Sequence, residues 1–131
     1  MKFQIKRRLS DDILIEGDAN SLKEFVENNK KDLRNSNLSG SDLSNCDLSN
    51  CDLSCCDLRN CDLRNCDLSD SDFNNCDFNG SNLNNCNLRN SDLRNCNLSN
   101  CNLNGSNFNN CKIKLSQKDE LLKALLIEIE N

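Results

Sequence analysis

Cysteine and aspartate are the side chains of this chain that could carry chemistry. Its 131 residues include 11 cysteines and no histidine. Thiolates bind zinc or exchange disulfides, and paired carboxylates can act as a general acid and base. Ten of the 11 cysteines, from Cys46 to Cys111, are spaced by multiples of five residues. A spacing this regular determines the backbone and says little about a reaction, so the elements that position these residues come first.

A large apolar residue recurs at every fifth position between residues 31 and 115, which makes 17 consecutive units. Cys or Ser lies two residues before this apolar centre (Lys31 is the exception), and Asp or Asn lies one before it (Lys112 is the exception). Mostly Asn or Gly lies two after it. A five-residue step leaves about 140° per unit on a helix, and an odd step in a strand alternates between faces. The chain must therefore turn a corner in every unit, and we expect an all-β solenoid. Its corners fall on residues that tolerate positive φ, such as Asn35 and Gly40.

Units such as Cys56-Asp57-Leu58-Arg59-Asn60 resemble those of the pentapeptide-repeat family, whose usual unit is A(D/N)LXX. The resemblance covers residues 31–115, and it implies a right-handed quadrilateral β-helix of about four coils. Periodicity alone would also allow three sides. The chain departs from the family pattern because no repeat carries Ala, and the small inward position is Cys or Ser.

The two flanks are predicted to cap the open ends of the solenoid. In residues 1–30, an alternating apolar pattern around Ser10-Asp11-Asp12 predicts a β-hairpin, and a capping box at Ser21–Glu24 predicts a short helix to about Lys30. Residues 116–131 predict a C-terminal helix, with a further capping box at Ser116–Asp119. Its apolar face either plugs the last coil or also joins two chains end to end in a homodimer, as in several family members. That face consists of Leu121, Leu122, Leu125, Leu126 and Ile129.

The cysteines, with no signal peptide before them, predict reduced thiols in a cytoplasmic protein. Ten of them take the inward small position, where we expect them to act as small hydrophobic residues. A zinc site and disulfides stay open alternatives, although thiols in parallel columns suit neither the metal's tetrahedron nor the disulfide torsion. Cys55 takes a corner position instead, so it is predicted to face solvent as the candidate reactive thiol. No cofactor is predicted.

The sequence offers little for catalysis or for a membrane. It has no histidine, no phosphate-binding glycine loop and no long apolar stretch, and we predict no enzyme activity. With about twenty residues per coil, Asp32, Asp52, Asp72 and Asp92 are predicted to form an acidic column on one side. These carboxylates either satisfy backbone groups at the corners or imitate the charge of duplex DNA.

Charge density bears on that choice. Residues 31–115 contain 11 Asp against 5 Arg and 3 Lys, a net charge of −3. A rod about 20 Å tall has about a quarter of the roughly 12 negative charges of duplex DNA of that length. We therefore predict a scaffold that binds a protein of unknown identity. The alternative is a DNA mimic that acts on DNA gyrase or topoisomerase IV, as the quinolone-resistance proteins of the family do. The formal charge of −5 argues against direct binding of nucleic acid.

Overall fold

The computed structural model describes residues 1–124 of the chain. The described helices and the longer strands lie at the two ends of the repeats. Of the predicted C-terminal face, Leu125, Leu126 and Ile129 lie outside the described residues. The elements, in chain order, are β1 (Lys2–Arg7), β2 (Ile13–Asp18), α1 (Leu22–Asn28), a 3-10 turn (Lys30–Asp32), β3 (Ser36–Asn37), a second 3-10 turn (Leu115–Gln117) and α2 (Lys118–Ala124).

Single parallel β-bridges connect the repeats. Each bridge joins residues twenty positions apart, from Asn37–Asp57 to Asp92–Lys112. Twenty residues are four units, and every unit turns one corner, so each turn of the solenoid has four sides. Backbone bonds tie successive turns together: the Leu43 N–H donates to the Asp62 carbonyl at 2.8 Å, and the Asp62 N–H donates to the Ser41 carbonyl at 3.0 Å.

The corner of each unit is a residue in the left-handed conformation. From Asn35 to Asn110, the fifth position has φ between 55° and 76° in thirteen non-glycine residues and three glycines. Asparagine and glycine tolerate this region, and Cys55 and Asp70 are the residues of other types found there. The predicted placement of the corner on the fifth residue is confirmed.

The apolar centres fill the axis of the solenoid. All of them from Leu33 to Leu103 are at most 3% exposed. The rings of Phe73 and Phe78 pack against each other with their centroids 5.4 Å apart. Because each centre is buried between two neighbouring turns, the repeats form one continuous core rather than separate ones.

The N-terminal residues cover the first turn. β1 pairs antiparallel with β2, and its residues Lys6 and Arg7 pair with β3 in the first repeats. Ile5 on β1 and Phe25 and Val26 on α1 are buried in the same core as the repeats. The hydroxyl of Ser21 accepts the N–H of Glu24 at 3.1 Å and so fixes the start of α1.

Gln117 follows the repeats and covers their last turn, and it is 6% exposed. Its side-chain Nε2 donates to the carbonyls of Leu93 at 2.8 Å and Cys96 at 3.2 Å, and its Oε1 accepts the Lys114 N–H at 2.8 Å. One amide therefore provides donors that the next turn would otherwise supply. The capping box expected from Ser116 does not start α2, because Ser116 lies within the second 3-10 turn.

Candidate functional site

The inward Cys and Ser side chains are hydrogen-bond donors as well as core residues. From Cys56 to Cys111, every inward side chain donates to the carbonyl of the apolar centre 23 residues earlier. For example, the sulfur of Cys66 lies 2.9 Å from the Leu43 oxygen. Alanine is also small enough for this position but could not donate the bond, which gives a physical reason for its absence from the repeats.

Serine makes one bond at these positions that cysteine does not. The Ser71 hydroxyl donates to the Leu48 carbonyl at 2.8 Å and also accepts the Cys51 N–H at 3.1 Å. Where the residue twenty positions later is cysteine, the backbone N–H of the inward residue donates instead to the carbonyl of the apolar centre three residues before it. The Cys66 N–H, for instance, donates to the Leu63 carbonyl at 3.3 Å.

Hydrogen bonds, the strongest of them with Cys76, lower the pKa of Cys56, but burial keeps the other nine inward thiols protonated. It raises the pKa of Cys46, Cys66 and Cys86 to about 12 and that of Cys61 to about 11. The thiolate is the form that attacks electrophiles and binds metals, so these thiols are inert near neutral pH. All eleven cysteines lie among the described residues, and none of them is in a disulfide. Within residues 1–124 no group of three or more His, Cys, Asp and Glu side chains could hold a metal ion.

Cys55 lies at a corner beneath the turn that joins β1 and β2, and it is half-buried. The guanidinium of Arg8 donates to the carbonyls of Cys55 at 3.2 Å and Asn75 at 3.0 Å, while its backbone N–H donates to the Asn35 carbonyl at 2.7 Å. Arg8 thus binds three corner carbonyls in successive turns. The sequence predicted a solvent-facing thiol, and the structure shows one that the hairpin turn partly covers.

The Asp or Asn before each apolar centre accepts a hydrogen bond from the N–H two residues later. All fifteen positions from Asn37 to Asn107 make this bond, at 2.8 to 3.2 Å. Asn82 and Asp52 both make it at 3.0 Å. Because an amide oxygen serves as well as a carboxylate, the corner requires an acceptor but no charge.

These Asp and Asn residues stack into four columns, one on each side of the solenoid. Of the predicted acidic column, Asp52, Asp72 and Asp92 stack on one side, whereas Asp32 lies in the 3-10 turn before the first bridge. The columns are the first side (Asn37, Asp57, Asp77, Asn97), the second side (Asp42, Asp62, Asn82, Asn102), the third side (Asp47, Asp67, Asn87, Asn107) and the fourth side (Asp52, Asp72, Asp92, Lys112).

Arginines neutralise carboxylates on three of the sides. Arg59 pairs with Asp57 on the first side, and Arg64 pairs with Asp62 on the second, each at 2.7 Å. On the fourth side, Arg94 pairs with Asp92 at the same distance. Hydrogen bonds from each guanidinium lower the pKa of its partner carboxyl, so these pairs stay ionised while adding no net charge to the surface.

A group of carboxylates with few cations lies where the third and fourth sides meet. We call it the acidic edge, and it comprises Asp47, Asp52, Asp67, Asp70 and Asp72. Within the part of the chain that the structure describes, its one ion pair joins Lys30 to Asp47 at 3.5 Å. The residues that follow its apolar centres are short: Ser49, Ser54, Ser69 and Asn74. No long side chain from these positions covers the carboxylates.

The family model described as "Pentapeptide repeat region" matches residues 29–99 and 47–121. The chain belongs to the pentapeptide-repeat family. Among curated proteins, none matches the sequence significantly. Within residues 1–124, no helix is both long enough and apolar enough to cross a membrane.

Solved structures of other pentapeptide-repeat proteins resemble the fold. One from Nostoc PCC 7120 is 33% identical, with a TM-score of 0.59 over 68% of this chain and 73% of that one. One from the cyanobacterium Cyanothece 51142 is 30% identical, with a TM-score of 0.51 over 60% of this chain and 50% of that one. One from the thylakoid lumen of Arabidopsis thaliana is 23% identical, with a TM-score of 0.52 over 67% and 75%, and it supports the fold alone. The chain thus spans half the length of the Cyanothece protein.

Proposed function

We propose that this pentapeptide-repeat protein is a non-enzymatic scaffold whose acidic edge binds a basic surface of a partner protein. The observation that carries the proposal is the hydrogen bond at each corner, which Asn makes as well as Asp. Folding therefore does not require the carboxylates of Asp47, Asp52, Asp67 and Asp72, and the corner that Asp70 occupies is Asn in most other units. Exposed charge held in fixed positions attracts and orients a partner of opposite charge.

The test compares the cellular proteins that bind to the immobilised wild type with those that bind to two matched variants. In Asp52→Asn with Asp72→Asn, the edge loses two charges but keeps its corner bonds. In Asp42→Asn with Asp77→Asn, the first and second sides lose the same number. A protein retained by the wild type and by the second variant, but not by the first, would support the proposal. Equal retention by all three would rule out the acidic edge as the binding surface.

A second candidate function is mimicry of DNA toward a bacterial type II topoisomerase, DNA gyrase or topoisomerase IV. It is favoured by local charge density, since the five carboxylates lie within two turns, or about 10 Å of the axis. Duplex DNA carries about 6 charges over that length. The match is confined to this edge, because the mean density along the rod is far lower.

Supercoiling by purified gyrase, measured across a titration of the protein with and without a quinolone, tests this candidate. Mimicry predicts inhibition, or relief of quinolone trapping, that weakens in the variant with Asp52→Asn and Asp72→Asn. No effect at concentrations well above those of the enzyme would eliminate it.

We also propose, from the family resemblance, that the solenoid is right-handed with about four coils and that the protein is cytoplasmic. End-to-end pairing through the C-terminal helix is proposed on the same basis. In the described part of that helix, Leu121 packs against the core, and Leu121 and Leu122 are both half-buried. Leu122→Glu is expected to prevent such pairing without disturbing the repeats, as checked by sedimentation.

A further inference from the structure

The surface charge of the third and fourth sides changes sign along the rod, from the acidic edge to a group of cations. In the later turns of the same two sides, Arg89 follows an apolar centre of the third side, and Arg94, Lys112 and Lys114 lie on the fourth. All four cations are exposed. We call these four residues the basic end, and the acidic edge and basic end together the bipolar face.

The two halves of the bipolar face carry opposite net charge. The acidic edge has five carboxylates with Lys30 beside one of them, and the basic end has four cations with Asp92 paired to one of them. From Asp52 to Lys112 the column descends three turns through successive bridges, which is about 14 Å. The charges of each half therefore stand in fixed positions on adjoining sides of the same rod.

We infer that the bipolar face binds a second copy of the chain, side by side and antiparallel. A two-fold axis perpendicular to the rod brings the acidic edge of each copy against the basic end of the other, so every contact forms twice. A parallel arrangement would instead place carboxylates against carboxylates. The inference rests on the proposed function, because it uses the same acidic edge and names its partner. It does not involve residues 116–131, so it is distinct from end-to-end pairing.

The association is weak and sensitive to salt. Its charged groups stay partly hydrated, and exposed ion pairs contribute little each. At 1 M salt the screening length falls to about 3 Å, shorter than the reach of the side chains involved. The full chain is therefore expected to dimerise at high protein concentration and low ionic strength, and to be monomeric at high salt.

The test is sedimentation equilibrium of the full chain at about 0.05 M and 1 M salt, with charge-reversed variants. The edge variant carries Asp52→Lys, Asp67→Lys and Asp72→Lys. Because these changes also remove three corner acceptors, a native circular dichroism spectrum is required of this variant first. The end variant carries Arg89→Glu, Lys112→Glu and Lys114→Glu. Each variant alone should be monomeric at low salt. Their equimolar mixture should associate about tenfold more tightly than either one, because the charges are then complementary again.

Controls separate a failed fold from a failed inference. Ser69→Arg with Asn74→Arg places arginines two residues after Asp67 and Asp72, the spacing at which Arg59 and Arg64 pair with their own carboxylates. It therefore halves the net charge of the edge within a native pattern. It should weaken dimerisation about tenfold while the circular dichroism spectrum stays unchanged. Asp42→Lys with Asp77→Lys, on the first two sides, should leave dimerisation unchanged.

Three outcomes would overturn the inference: a wild-type monomer at low salt, a dimer that resists every bipolar-face variant, or a mixture that fails to associate. A dimer lost only in Leu122→Glu would also overturn it, because that result identifies end-to-end pairing. A wild-type monomer whose acidic edge still captures a cellular protein would refute the self-association and retain the proposed scaffold function. A dimer whose acidic edge captures no cellular protein would support the self-association and refute the proposed scaffold function.

Discussion

Substitution of Cys66 separates the two roles of the inward position, filling space and donating a hydrogen bond. Cys66 is 2% exposed, and its sulfur donates to the Leu43 carbonyl at 2.9 Å. Cys66→Ala removes the donor and one buried heavy atom. Cys66→Ser keeps a donor and adds an oxygen that can accept the Cys46 N–H, as Ser71 does for Cys51.

The expected cost of the alanine variant has two parts. Loss of the hydrogen bond costs about 1 kcal/mol, and no more, because the Leu43 carbonyl still accepts the Cys46 N–H at 3.2 Å. Loss of the sulfur leaves a space about the size of one methylene group, which costs about 1 kcal/mol. We therefore expect Cys66→Ala to lower the free energy of unfolding by about 2 kcal/mol, and Cys66→Ser by about half of that or less.

The assay is urea unfolding of the three proteins at neutral pH with a reductant, comparing midpoints at a common slope. A serine variant clearly more stable than the alanine variant would support a donating role. An alanine variant as stable as the wild type, or more stable than the serine variant, would refute the reasoning. The inward position would then require only a small side chain, as the usual alanine of the family suggests.

Three further predictions concern the thiols and the C-terminal end. Since burial raises the pKa of thiols such as Cys66 to about 12, from 9.0 in an exposed thiol, the unfolded chain ionises first. The urea midpoint should hold steady from neutral pH to about pH 9 and fall between there and about pH 12, and a fall already at neutral pH would contradict this sign. In a thiol titration of native protein at neutral pH, Cys55 should react first, because burial raises the pKa of Cys111, the other half-buried thiol. The fully buried inward thiols should react only after unfolding. Cys55→Ser should remove the fast phase, and a fast phase that persists would refute the assignment. Gln117→Ala should reduce amide protection in the last turn by about 2 kcal/mol, while the exposed neighbour Ser116→Ala should not, and equal effects would deny Gln117 its capping role.

The repeat made the backbone of the solenoid predictable from the sequence. The five-residue period, and the Asn and Gly at its fifth position, placed every described corner, because a residue with positive φ has few alternatives. The hairpin and the helix that begins at Leu22 followed from alternation and a capping box. All of these signals are local in the sequence, and the regularity of the solenoid follows from the five-residue period.

The contacts that join distant residues could not be read from the sequence. The bond from Cys66 to the Leu43 carbonyl requires both the twenty-residue turn and the orientation of a carbonyl in the turn before. Arg8 reaches Cys55 across 47 residues, and no periodic pattern links the two. Gln117 donates to the Leu93 carbonyl, and no repeat pattern predicts this contact because the chain leaves the repeat geometry in the second 3-10 turn.

Within a unit, folding determines the residue type at four of the five positions and leaves one position, directly after the apolar centre, comparatively free. The inward residue must donate, the next must accept, the centre must be apolar, and the corner must tolerate positive φ. The residue directly after the centre carries no such requirement, and it varies from Ser54 to Arg59 to Asn84. The choice between Asp and Asn before the centre is equally free, because both satisfy the corner. Selection for a partner can therefore act on these two positions at little cost to the fold. Apart from Asp70, they are the positions where the acidic edge and the basic end differ from the neutralised sides, so we expect the binding specificity of this rod to reside there.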